Sequence, residues 1–388
     1  MSTDSLLEFA LGPEQLFYVK LESAFDTYTD WAASDMMHIL KSDFSPIQGR
    51  MDRADSRKTR SLLERINKRK ETSWSIESYL NGGASPGVAP DIAPFIEAAM
   101  GTQTVVPSTS VSWTEARTQC PTTLQMGRST EVGAQHINGA SVKGFEVDIS
   151  GGLVNFKANG EAVWQIFNNS VEVTGSIGDA YVDALDSDSA QQVDINSKVV
   201  VEGSAADDGP FTVTNVVGTR IFLDGVLTAT HGAGILLKPW RPTPSTIGSP
   251  ATDLVGFVTL DSGELDLFSF KLAFTNNTIT HNKQVGTDRA TYAYHKRRAV
   301  TGVFGVHYRR DMGKWYDFAR QLTQSANLQV RVGSNAAGGD RWTFALTQIE
   351  IDMHKIEIPQ TDGDVGTMNI PWVAKGSTGE DDLVITLD

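Results

Sequence analysis

Few residues in this 388-residue chain are spaced so that they could do chemistry together. Seven histidines occur, at His38, His136, His231, His281, His295, His307 and His354. No two stand four apart as in a helical zinc pair, and no Cys-x-x-Cys accompanies them. His295 and His307 are placed to approach each other across adjacent strands, and the competing reading is that of surface histidines. Cys120, the one cysteine, precedes Pro121 in a polar stretch with no neighbour to activate it, which argues against a nucleophile. A lone cysteine also excludes an internal disulfide. Asp183, Asp186 and Asp188 lie close enough to suggest calcium. An EF-hand loop, however, needs glycine at its sixth position and glutamate at its twelfth, and both are missing. The plainer reading is an acidic surface turn, with a weak cation site as the alternative. Neither a nucleophile-elbow serine nor a phosphate-binding loop is read from the chain. Paired carboxylates are too numerous in an acidic chain to single out an acid and a base. The expectation is a protein with no catalytic chemistry, no metal and no cofactor.

The elements that would have to position any site read mainly as strands. Ser141–Ile149, Leu267–Thr275, Gly302–Tyr308 and Trp342–Ile351 alternate apolar with polar residues and are rich in Phe, Val and Ile. In the last of these Trp342, Phe344 and Leu346 share a face, then the phase slips by one so that Ile349 and Ile351 continue it. Such a slip predicts a β-bulge or a strand buried on both sides. Two helices are predicted. In 90–101 the apolar residues Ile92, Phe95, Ile96, Ala99 and Met100 keep helical spacing, with Pro90, Asp91 and Pro94 at the start and Gly101 as the stop. In 313–326 Trp315, Phe318, Ala319 and Leu322 repeat the pattern.

Residues 168–240 have a composition of their own, small, acidic and Gly/Asp-rich, ending in the proline-rich Lys238–Pro244. Short strands are predicted there at Lys198–Glu202, Phe211–Val217 and Arg220–Leu223, separated by turns at Gly203–Pro210 and around Gly218. The segment reads as a small β-module inserted between the two parts of a larger β-domain, 1–167 and 241–388; a long, partly ordered loop is the alternative. The chain length suits two folding units. With an acidic residue near the N-terminus and no apolar run long enough for a membrane span, a soluble protein folding in a reducing cytoplasm is expected.

The net charge of −14 is unevenly placed. Arg50, Arg53, Arg57, Lys58, Arg60, Arg65, Lys68, Arg69 and Lys70 stand against Asp52, Asp55 and Glu64, a local net of +6 that leaves −20 on the rest. A cationic segment on an acidic body suits head-to-tail self-association. A solvated loop or a nucleic-acid patch are the other readings, although the run lacks the aromatic residues that single-strand binding would use.

Taken in order along the chain, these segments resemble the tail tube (major tail) proteins of tailed bacteriophages, in the form that carries an inserted β-module. The resemblance covers almost the whole length. It begins with "LFYVKLESAFDTY", the basic run "RMDRADSRKTRSLLERINKRKETSWSIESYL" and the "APDIAPFIEAAMG" helix. It continues through "LQMGRSTEVGAQHINGASVKGFEVDISGGLVNFKANGEA", with its Gly139-Ala140 pair, and the module "VVVEGSAADDGPFTVTNVVGTRIFLDGVLTATHGAG". It closes with "FKLAFTNNTITHNKQVG", "VTGVFGVHY" and "WTFALTQIEIDMHKIEIPQTDGDVGTMNIPWVA". Order and coverage carry it, not one motif. The resemblance implies a β-sandwich or barrel with a flanking helix, subunits joined into rings, usually six-fold, and rings stacked into a hollow DNA conduit. It implies a place in the virion tail after assembly in the host bacterial cytoplasm, more like the flexible, non-contractile tails. The implied partners are other copies of the chain, the tape measure, tail terminator and tail tip proteins, and viral DNA passing without specific binding; no membrane is involved. The basic segment 50–70 would bridge subunits and the module would project outward. A head or tail decoration protein, or a tip protein touching a host surface through the module, is the alternative.

Overall fold

The computed structural model describes residues 15–29, 31–52, 65–116, 122–130, 133–150, 152–193, 195, 198–201, 210–240, 249–252, 257–260, 263–265, 267–281, 292–307, 326–334, 338–351, 356–357, 367–376 and 382–388. The fold is mainly β, and every strand pairing among these residues is antiparallel. The predicted helix at 313–326 lies outside them except for Ala326, which opens a strand.

One long strand, Gly133–Ile149, organises the body. Its first half lies between Leu124–Ser129 and Trp164–Asn169, in a sheet that continues through Leu16–Leu21 to Met36–Met37. Its second half lies between Val154–Ala162 and Leu267–Thr275 in a much larger sheet. That sheet runs from Lys41–Asp52 through Arg65–Tyr79 to Val154–Ala162, then past the long strand to Leu267–Thr275, Ala299–His307 and Thr367–Ala374. The change of partners falls at Gly139, whose φ of +59° is a left-handed conformation that glycine adopts without strain.

A second strand also changes partners. Trp342–Ile351 pairs along one edge with Ala326–Val332; along the other, its first half meets Val384–Leu387 and its second half meets Thr367–Ala374. Between Leu346 and Ile349 one extra residue enters its register with Ala326–Val332. This is the bulge that the phase slip in the sequence predicts, and it lets Trp342, Phe344, Leu346, Ile349 and Ile351 all point inward.

The core is aromatic. Trp113 stacks on Trp342 at 5.7 Å, and Phe270, Trp372 and Phe304 form a second cluster with centroids 5.7–6.0 Å apart. The helix Ala93–Met100 sets Phe95 between Trp74 and Phe156. Pro94 lies in its first turn, and it ends at Gly101 with φ +101°, whose N–H donates to the Glu97 carbonyl. Its last carbonyls are satisfied from outside, Ala99 by Asn276 Nδ2 at 2.6 Å and Met100 by the Ala116 N–H at 2.8 Å.

Val171–Gly175, Tyr181–Ala184, Lys198–Val201, Phe211–Val217, Arg220–Leu223 and His231–Pro239 close into a separate six-stranded barrel. Its core is built of small branched residues, among them Val171, Val173, Val182, Val199, Val213 and Ile221, which suits the narrow bore of so few strands. Of the strands predicted in this region, Phe211–Val217 and Arg220–Leu223 carry the sequence boundaries unchanged, and Lys198–Val201 matches the predicted Lys198–Glu202 as far as the described residues reach. Among the described residues no helix is long and apolar enough to cross a membrane.

Candidate assembly surface

The hairpin that carries the basic segment outruns its sheet. Arg65–Tyr79 pairs with Val154–Ala162 only from Thr72 to Tyr79, whereas its pairing with Lys41–Asp52 runs on to Asp52↔Arg65. From Glu71 outward the two strands are therefore a ribbon that pairs only with itself among the described residues. Arg50 lies on one strand and Arg65, Lys68, Arg69 and Lys70 on the other, so at these positions the segment is strand and not a loop. The register gains one residue between Gln48↔Lys70 and Arg50↔Asn67, so Lys68 and Arg69 sit at a bulge, which twists the ribbon. Arg53, Arg57, Lys58 and Arg60 lie outside the described residues. Lys41–Asp52 has no second neighbour among the described residues, and Pro46 on it, which cannot donate to a further strand, suits an edge.

The solvent face of the large sheet carries a charge ladder set by register. Glu77, Lys157 and Glu146 stand in one cross-strand row, with Lys41 opposite Glu77 at the edge. Lys157 reaches Glu77 at 3.2 Å, Lys271 reaches Glu146 at 2.6 Å, and Lys143 pairs with Glu161. Such exposed pairs fix register more than they stabilise, at about 0.2–1 kcal/mol each.

A strap, residues 22–29 and 31–35, crosses the smaller sheet. Gln125 holds it by accepting from the Thr29 N–H at 2.9 Å and donating to the Thr29 carbonyl at 2.7 Å. Trp31 stacks on Tyr18 at 5.6 Å, over Gly127, where any Cβ would lie 2.8 Å from the indole. At the strap's root the buried Glu22 carboxylate accepts from Thr123 Oγ1 at 2.6 Å, the Gly139 N–H at 2.7 Å and the Asp26 N–H at 3.2 Å. Burial outweighs these donors and pushes its pKa up to about 7. Glu115 is raised to about 7 as well, by burial partly offset by Arg298 at 3.2 Å. Neither carboxylate stands out in the sequence, because each is a single acidic residue in a polar setting.

The histidines separate. His295 and His307 bracket one strand, Ala299–His307, so the strand's length of about 27 Å parts them instead of bringing them together. His295 Nδ1 lies 2.8 Å from Thr278 Oγ1, and burial with the nearby Arg298 lowers its pKa to about 4. His295 and His307 are half-buried, against the surface reading, and His136 and His231 are buried; His136 packs 5.1 Å from Tyr28, and desolvation lowers it to about 4. The three neighbouring aspartates have separate tasks. Asp183 pairs with Arg220 at 3.2 Å, and Asp186 caps the short helix Ser187–Ala190 by accepting from the Ser189 N–H at 2.7 Å. Among the described residues no three His, Cys, Asp or Glu side chains cluster as metal ligands, and Cys120 lies outside them.

One letter pattern escaped the sequence reading: Gly83-Ala84-Ser85-Pro86-Gly87 does match the nucleophile elbow. The structure gives it none of the elbow's context. Strand Arg65–Tyr79 ends well before it, helix Ala93–Met100 begins well after it, and exposed Ser85 has no side-chain hydrogen bond to any described residue. No protein-family model matches this chain, and comparison with curated proteins gives no match.

Proposed function

We propose that this protein is a structural virion subunit without catalytic activity, which assembles into stacked rings forming a phage tail tube for DNA. The observation that carries the reading is the charged ribbon, which leaves its sheet at Glu71 with the edge of Lys41–Asp52 unpaired among the described residues. A long unpaired edge can template pairing with another chain; Pro46 blunts the part of it that lies within the sheet, so the joint falls on the ribbon beyond. In a repeating subunit the same edge is a joint, so the ribbon of one copy reaches the next. The sequence resemblance and the net charge of −14 support the same reading. Duplex DNA carries one negative charge per about 1.7 Å of axis, so an acidic wall lets it pass where a cationic one would hold it.

Replacing Arg65, Lys68 and Arg69 together by Glu tests the ribbon. The variant is expected to stay folded by circular dichroism and to sediment as a 42.1 kDa monomer where the parent polymerises. Unchanged polymers from that variant would remove the ribbon from the account.

A further inference from the structure

A groove of about 830 Å³ crosses the outer face of the large sheet. Its floor is formed by Arg65–Tyr79, Val154–Ala162 and the second half of Gly133–Ile149, and its wall by residues 275–279 with Lys296 and Arg297. The wall is fixed in place: Thr278 Oγ1 donates to the Val142 carbonyl at 2.9 Å, and the adjacent Asn276 holds the helix terminus. Five cations line the groove (Lys41, Lys143, Lys157, Lys296, Arg297) against two carboxylates, Glu77 and Glu146. Both carboxylates are already engaged, by Lys157 and by Lys271, and Lys143 is engaged by Glu161. Lys41, Lys296 and Arg297 have no ion-pair partner among the described residues. Unmatched cations converging on a groove, in a chain of net charge −14, suit an anionic occupant.

The chain itself carries a matching surface. Residues 168–240 hold ten Asp and Glu against Lys198, Arg220 and Lys238, so half of the net negative charge sits on the barrel region. The barrel's tip, opposite its junction with the body, is made by the turns at 176–180 and 224–230. There Ile177 is 65% and Val226 57% exposed, beside Asp179 and Asp224. The two turns are tied by Gly178 N–H to the Leu227 carbonyl at 2.9 Å and Leu227 N–H to the Asp179 carbonyl at 2.8 Å. An exposed apolar pair with an acidic rim on a rigid turn is an interface in form, and little ordering entropy opposes its docking. The groove answers with the half-buried Ile279 among its cations.

The two surfaces do not belong to one contact within a copy. The strand before the barrel leaves the body where Asn169 pairs with Gly133, ten residues along the strand from Lys143, or about 33 Å. The tip lies at the far end of the barrel from that junction. We infer that the acidic barrel tip of one copy seats in the cationic groove of a second copy. The contact is heterologous, joining two different patches, so it propagates through a ring or stack instead of closing as a dimer. It rests on the self-assembling reading and assigns to that assembly a joint separate from the charged ribbon.

The test uses the full chain. An equimolar mixture of ¹⁵N-labelled and unlabelled protein is treated with a zero-length carbodiimide, which joins lysine amines to carboxylates, and the peptides are read by mass spectrometry. Mixed-isotope links from Lys296 or Lys41 to Asp179 or Asp224 are expected. Lys296→Glu with Arg297→Glu should raise the concentration needed for assembly by about tenfold. Adding Asp179→Lys should recover part of that loss. A parent that assembles while the groove variant assembles equally well overturns the groove and leaves the tube reading standing. A parent that stays monomeric and gives no mixed-isotope link overturns both. Groove links to another part of the partner copy, or groove-dependent retention of duplex DNA with no such link, overturn the choice of occupant.

Discussion

Glu22→Gln isolates the charge at the root of the strap. Near pH 4.5 the folded parent carboxyl is neutral and that of the unfolded chain only half-ionised, given a folded pKa of about 7 and an ordinary value of 4.5, so little of the pH-dependent loss has yet set in. Glutamine then keeps the acceptor for the Gly139 N–H but turns an amide toward the Asp26 N–H, losing one hydrogen bond worth about 1 kcal/mol. Between pH 4.5 and about 7 the folded parent holds a proton that the unfolded chain has released, so parent stability falls as pH rises through that window. At full ionisation the loss is about 3 kcal/mol. The variant has no such term. It is expected to be about 1 kcal/mol less stable near pH 4.5 and about 2 kcal/mol more stable near pH 8. The parent's own curve mixes several groups: Glu115 acts in the same sense, whereas His136 and His295, lowered to about 4, lose stability as pH falls from 6.5. The difference between the two proteins removes those shared contributions. Urea unfolding followed by tryptophan fluorescence across pH 4.5–8 measures it. A difference that stays constant with pH would mean that Glu22 carries the same charge in the folded and the unfolded chain, and that its burial does not hold the proton.

Three further outcomes follow from the geometry. Gly139→Ala places a Cβ 2.5 Å from Val163 Cγ2 at a φ of +59° and should cost about 2 kcal/mol or more by denaturant unfolding; a cost under about 0.5 kcal/mol would mean the turn of the long strand is not strained by a side chain. Trp342→Ala empties one half of the buried stack with Trp113 and should cost about 3–5 kcal/mol, read from the urea midpoint, where a small loss would show that the site collapses or is wet. His136→Phe should lower the pH at which the protein unfolds in acid, since a buried neutral imidazole no longer charges, and an unmoved acid transition would place that sensitivity elsewhere.

Much of the strand pattern is visible in the residues because inward positions repeat every second residue, as in Leu267–Thr275, where Phe270, Leu272 and Phe274 are buried. The bulge in Trp342–Ile351 is visible for the same reason, as a slip in phase. The helix Ala93–Met100 announces itself through spacing and through Gly101. The partner change in Gly133–Ile149 is hidden, since both halves of the strand have ordinary neighbours and only a glycine marks the turn. The basic segment hides its strands because lysine has only a weak strand preference and the charges leave no apolar alternation to read, whereas pairing with Lys41–Asp52 overrides both. The groove is illegible for a different reason: Lys41, the neighbouring strands of Lys143 and Lys157, and Lys296 come from three distant parts of the chain and meet only in the folded sheet.

Electron microscopy of the negatively stained, purified protein, read beside its mass in solution, addresses the central claim directly. Hollow tubes with axial striations, or rings with an open centre, built from 42.1 kDa subunits are expected. Compact trimers without a channel, at any concentration, would contradict it and turn the assignment to a decoration or tip protein.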